Sequence, residues 1–190
     1  MIPMRVFLAD LARYAHSSPT THRAATLRWR PALRAVLVER ATWAVAEFRL
    51  RQWVDTLPGL VRWPGKVITY GTRVAIEALT GVCLPTAARI GPGFVVSHAG
   101  PIVMHADTVA GEDFTLHPQT TIGTHDGGVP RFGDRVFVGP GARVLGPITV
   151  ADDALIGANA VVMVDVPANH VAVGMPATTS LNTRPPWLSG

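Results

Sequence analysis

The sequence predicts an α+β chain in two parts: an N-terminal helical domain, then a left-handed parallel β-helix of about four coils. Two observations predict it. Residues 1–80 carry apolar residues every three to four positions, as an amphipathic helix requires. After Gly81 the period becomes six. Phe132, Val138, Val144, Val150, Ile156 and Val162 fall six apart without a miss. Neither a helix of period 3.6 nor an alternating strand of period 2 gives that spacing. Expected boundaries are 1–80 for the helical domain, 81–177 for the β-helix and 178–190 for a C-terminal tail.

In the helical part, MIPMRVFLADLARYA is a short first helix and SSPTTH a loop. RPALRAVLVERATWAVAEFRLRQWV is a long helix with Leu33, Val36, Val38, Trp43, Val45 and Phe48 on its apolar face. Pro31 suits its first turn. LPGLVRWPG, with two Pro and two Gly, is expected to break the chain before another helix from about Lys66 to Leu79. Trp29, Trp43, Trp53 and Trp63 are expected in the core or in subunit packing.

In the repeat part, earlier registers run Leu84, Ile90, Val96, Ile102 and then Ala110, Leu116, Ile122. Four residues after each of the first five positions in the last register come Val136, Ala142, Ile148, Ala154 and Ala160. Each hexapeptide reads as one flat strand that puts one large aliphatic residue inside a triangular prism. The small residues and glycines allow tight corners and close stacking.

Charge is uneven. Residues 1–80 carry 12 Lys+Arg against 5 Asp+Glu, and the remainder 5 against 8, which gives +7 and −3 and restores the chain's +4. The basic helices suit either an ordinary solvated surface or an anionic partner, such as a membrane surface or a phosphorylated carrier lipid. No nucleic-acid motif accompanies them. A single cysteine excludes an internal disulfide and suits a reducing compartment, so a cytoplasmic protein is expected. The opening MIPMRVFLADLARYA meets Asp10 and Arg13 too soon for a secretory leader, and there is no run of about 18 uncharged apolar residues, so neither a leader nor a membrane span is expected.

The segments LTGVCLPTAARIGPGFVVSHAGPIVM, FTLHPQTTIG, FGDRVFVGPGARVLGPITVADDALIGANAVVMVDVP and AVGMPA resemble the serine acetyltransferase family and its relatives, the colanic-acid-type exopolysaccharide O-acetyltransferases. The resemblance covers about four-fifths of the chain. It implies an enzyme that transfers acetyl from acetyl-CoA to a hydroxyl, with no metal. His98 in VVSHAG matches the family's catalytic histidine, a general base for the acceptor hydroxyl, a role that imidazole suits near neutral pH. Cofactor contacts are implied at Gly123, Thr124, Gly139, Pro140, Gly157 and Ala158. Prisms of this kind form homotrimers, and the helical part can pair two trimers into a hexamer.

Other family positions differ. The carboxylate that orients the family histidine falls at Cys83. The aspartate before that histidine is Ser97. An Arg-His pair becomes Gly128-Val129, in a loop shortened by four residues. With these groups gone, a sugar or polysaccharide precursor is favoured as acceptor over L-serine, and serine O-acetylation remains the alternative. His117, His125 and Asp126 are candidates to assist, and Cys83, Ser97 and Asp126 to meet the acceptor. For each of these an ordinary structural role competes. Two lesser readings are a zinc site of the γ-carbonic-anhydrase kind and a scaffold that binds through NTRPPWLSG. Zinc would need three convergent imidazoles from His98, His105, His117 and His125.

Overall fold

The computed structural model describes residues 2–15 and 39–182. Within them lie helices α1 (Ile2–Ala15), α2 (Arg40–Asp55) and α3 (Gly59–Thr80). Short strands follow: β1 (Val82–Cys83), β2 (Arg89–Ile90), β3 (Val95–Val96), β4 (Ile102–Met104), β5 (Val109–Ala110), β6 (Thr115–Leu116), β7 (Thr121–Gly123) and β8 (Arg131–Phe132). The rest are β9 (Phe137–Val138), β10 (Arg143–Leu145), β11 (Thr149–Val150), β12 (Leu155–Ile156), β13 (Val161–Val162), β14 (His170–Gly174) and β15 (Ala177–Leu181). Leu33, Val36 and Val38, the first part of the expected long helix, Trp29 and most of the C-terminal tail fall outside the described residues.

Every third strand pairs in parallel. Sheet A is β1-β4-β7-β10-β13, sheet B is β2-β5-β8-β11, and sheet C is β3-β6-β9-β12-β14. Val166 bridges Val150 in parallel and carries sheet B one step further. The β-helix therefore makes about five turns, one more than the periodicity suggested, because the last turn departs from the six-residue register. β15 then folds back antiparallel on β14 and extends sheet C.

All thirteen register residues are buried, from Leu84 to Val162. Ile102 and Met104 both point inward from β4, with Val103 exposed between them. The two-residue offset between the first registers is thus absorbed inside a longer strand. The glycines at one corner have a steric cause. A Cβ on Gly111 would strike the Asp134 carboxylate, and one on Gly133 would strike that of Asp152. Those carboxylates accept from the backbone N–H of Glu112 and Asp134 in the coil before, at 2.8 and 2.9 Å. An aspartate ladder thus stitches successive coils together, and glycine makes room for it.

The open end of a β-helix leaves strand-edge N–H and C=O groups without partners. Here the helices satisfy them. Arg49 donates to the carbonyls of Ile90 and Gly91, Arg51 to Leu84, Gln52 to Ala88 and Arg13 to Gly93. Asp10 accepts from the Phe94 N–H, and the Tyr14 hydroxyl both accepts from Val96 N–H and donates to its carbonyl. Arg49 and Arg51 pair with Asp10 and Glu47 at 2.7 and 2.8 Å. Phe48, Phe94, Phe114 and Phe132 form a continuous aromatic row from α2 into the prism, with centroids 6.2, 6.0 and 4.9 Å apart. For Arg13, Arg49 and Arg51 neither sequence reading of the basic charge holds. They are buried and serve the fold.

LPGLVRWPG does not break the chain after Pro58. Helix α3 starts at Gly59 and runs through Pro64. Pro64 removes a hydrogen bond near the exposed start of the helix, where the loss is tolerated. Gly81, at φ +72°, closes α3 in the left-handed conformation and lies against the Pro101 backbone. α3 turns its small and polar residues Gly65, Thr69 and Thr80 inward, and leaves Leu60, Trp63, Val67, Ile68, Tyr70 and Val74 exposed. Trp63 is 75% exposed and Trp53 46%, so neither is a core residue of the single chain. No helix among the described residues is long and apolar enough to cross a membrane.

Candidate active site

The corner where sheet C passes into sheet A collects most of the residues singled out in the sequence. In successive coils it contains Ser97-His98, His117-Pro118, Gly139-Pro140 and Gly157-Ala158. Backbone bonds tie these corners into one edge: Gln119 N–H to Pro101, Gly141 N–H to Pro118 and Asn159 N–H to Pro140. A Cβ at Gly139 would meet the Ala158 backbone nitrogen at 2.9 Å, so glycine is a packing requirement there whatever else the edge does.

His98 stands at the first coil of this edge with its side chain 73% exposed. Its Nδ1 lies 3.9 Å from Oε2 of Glu39, the residue that precedes α2. A cleft of about 380 Å³ opens beside it, lined by Glu39, Arg40, Leu79, Thr80, Ala99 and Gly100. One coil on, His117 is half-buried, its ring 4.6 Å from that of Phe137. Its Nδ1 lies 3.2 Å from the Val138 carbonyl, which can only accept, so Nδ1 carries the proton and Nε2 is the free base. Burial holds the His117 imidazole below its ordinary range, the Val138 carbonyl acts in the opposite direction, and the charge of nearby His98 depresses it further. Ser97 Oγ is buried and has no hydrogen-bond partner among the described residues.

Gly123, Thr124, His125 and Asp126 lie on a different edge, where sheet A passes into sheet B. His125 and Gly128 bridge each other across a tight turn in which Asp126 and Gly127 both have positive φ. That is the turn chemistry of a two-residue hairpin loop. His125 Nε2 is 3.3 Å from Asp126 Oδ2, both side chains largely exposed. His105 occupies the same edge one coil earlier, its Nδ1 accepting from the Asp107 N–H. The four histidines therefore stand as two pairs on two edges of the prism. Among the described residues no group of three His, Cys, Asp or Glu is placed to hold a metal ion.

Cys83 lies on sheet A in register with Val103. Burial raises its thiol pKa, and the neighbouring Glu77 carboxylate raises it further against the opposing pull of Arg73. A thiol held protonated is a poor nucleophile. The sequence pattern missed Glu39, which lies 59 positions before His98. No periodicity links a residue preceding a helix to a coil corner.

No family model matches the chain. It is 40% identical over 111 residues to the serine acetyltransferase of Mycobacterium tuberculosis, spanning 56% of this chain and 48% of that protein. The serine acetyltransferase of Helicobacter pylori (strain 26695) is also 40% identical, over 114 residues, 56% of this chain and 64% of its own. The colanic acid biosynthesis acetyltransferase WcaB of Escherichia coli K12 is 34% identical over 105 residues, 54% and 65%. The matches thus span from about half to two-thirds of these relatives. Among solved structures, soybean serine acetyltransferase superposes with a TM-score of 0.75 at 26% identity, over 94% of this chain and 69% of that one. A serine acetyltransferase complex with CoA gives a TM-score of 0.75 at 26% identity, over 94% and 70%. The fold is their left-handed β-helix behind a helical lead-in. By sequence over its repeat region and by fold over nearly its whole length, the chain is similar to serine acetyltransferases, and by sequence also to a colanic acid biosynthesis acetyltransferase.

Proposed function

We propose that this chain is an acetyl-CoA-dependent O-acetyltransferase that uses His98 as general base. The observation that carries the reading is the edge on which an exposed imidazole, His98, stands in line with His117 and the close-stacked Gly139 and Gly157, in a homologue of acetyltransferases. His98 takes the proton of the acceptor hydroxyl as that oxygen attacks the thioester carbonyl. The tetrahedral intermediate collapses, the C–S bond breaks, and the departing CoA sulfur receives the proton from the imidazolium. Backbone N–H groups along the edge stabilise the oxyanion. Gly139, Pro140, Gly157 and Ala158 border the pantetheine arm. Gly123, Thr124, His125 and Asp126 serve the same site from a neighbouring prism of a homotrimer, whose place is the cytoplasm.

The acceptor is a sugar or polysaccharide precursor. Support comes from the three departures at Cys83, Ser97 and Gly128-Val129, where groups that grip an amino acid are missing. The competing reading, serine O-acetylation, draws on the 40% identity to serine acetyltransferases. CoA release is to be followed with acetyl-CoA plus L-serine, and with a panel of glucose, galactose, N-acetylglucosamine and their UDP derivatives. Turnover with the panel and none on serine is the expected result. Efficient turnover on serine at sub-millimolar concentration would overturn the choice of acceptor. His98→Ala is expected to lower kcat by about 10²- to 10⁴-fold, and an unchanged rate would end the general-base assignment.

A further inference from the structure

A histidine that acts as a base from one ring nitrogen needs its proton held on the other, and a carboxylate or carbonyl usually does this. His117 has such a partner in the Val138 carbonyl. For His98, the position from which the resembling acetyltransferases supply a carboxylate is Cys83, whose thiol burial keeps protonated. A carboxylate approaches His98 from another element instead. Glu39 is fixed at the start of α2, where its carbonyl accepts from Thr42 N–H at 3.0 Å and from Thr42 Oγ1 at 2.5 Å. From there its Oε2 stands 3.9 Å from His98 Nδ1. Glu39 lines the cleft together with Ala99 and Gly100, the two residues that follow His98.

Taking His98 as the general base, we propose that Glu39 is its positioning residue. The Glu39 carboxylate accepts a hydrogen bond from His98 Nδ1–H, which orients the ring and leaves Nε2 unprotonated toward the acceptor hydroxyl. The gap is longer than a hydrogen bond, and small torsions of two exposed side chains close it. Catalytic hydrogen bonds in unliganded sites are commonly long and tighten on binding. Among the described residues, the other ionisable groups around His98 do not compete for this role. Arg40, beside Glu39, carries no acceptor; His117 is already committed to Val138; and Tyr14 binds both backbone groups of Val96. The device replaces a carboxylate of the β-helix with one supplied by the helical part. α2 therefore both caps the first coil and completes the site.

The test uses the full chain with ¹⁵N-labelled histidine, and the variants Glu39→Ala, Glu39→Asp and His98→Ala. Long-range ¹H–¹⁵N correlation above the imidazole titration range reads the His98 tautomer. The expected result is Nδ1–H in the wild type and in Glu39→Asp, and a shift toward Nε2–H in Glu39→Ala. With acetyl-CoA and the sugar panel, Glu39→Ala should lower kcat by about 10- to 100-fold with KM for acetyl-CoA unchanged, and Glu39→Asp should recover most of the rate. A wild-type ring protonated at Nε2, or a Glu39→Ala enzyme with wild-type kcat, overturns the role of Glu39 even where His98→Ala is inactive. An active His98→Ala enzyme overturns the general-base reading itself.

Discussion

At the scale of single residues, His117 joins packing to chemistry. Its ring is half-buried against Phe137, and that burial favours the neutral imidazole, while the Val138 carbonyl pulls the other way. Its pKa is lowered relative to the unfolded chain, mainly by burial. The unfolded state therefore binds the proton more readily, and the stability this group contributes is present above the unfolded value and is lost as pH falls through the folded one. The melting temperature should drop as pH is lowered below about 6.5. His117→Gln should flatten that part of the profile. Scanning calorimetry of both proteins from neutral to mildly acid pH checks it, and parallel profiles would show that another group is responsible.

At the scale of elements, the question is how a stack of flat coils ends. Inside the stack each strand satisfies its neighbours, and the aspartate ladder with its facing glycines repeats at one corner. The first coil has no neighbour, so α1 and α2 supply one in the form of side chains. Arg49 is central to this, since one guanidinium holds Asp10 and the carbonyls of Ile90 and Gly91. Burial raises the Asp10 carboxyl pKa, and Arg49 and the Phe94 N–H pull it back. Removal of one partner leaves an uncompensated buried charge. Arg49→Ala should cost about 3–5 kcal/mol, mostly from stranding Asp10 and two edge carbonyls. Urea denaturation measures the loss, and a change below about 1 kcal/mol would mean that water replaces the arginine.

At the scale of the whole molecule, a single chain exposes more apolar surface than a monomer keeps without reason. Leu60, Trp63, Val67, Ile68, Tyr70 and Val74 line the outer side of α3, and Val103 and Met163 stand out from sheet A. His98 is also open on its outer side. The homotrimer proposed above would put a second prism beside that edge. Sedimentation equilibrium should return three times the chain mass, or six times where two trimers pair, and a monomer active at nanomolar concentration would refute the shared site.

The sequence alone determined the prism. A six-residue period dictates which side chains point inward, because each strand places one large residue inside before the chain turns. That is why all thirteen register positions are buried. The edge of His98, His117, Gly139 and Gly157 was legible for a related reason, since each follows an inward register residue, Val96, Leu116, Val138 or Ile156, by one or two positions. Only the tertiary structure decided what lies where the period stops. The fifth turn, the helix running through Pro64, the burial of Arg13, Arg49 and Arg51, and the approach of Glu39 to His98 all depend on contacts between residues far apart in the chain. Local spacing carries no information about such contacts, because they are fixed by how the helices dock on the open end of the first coil.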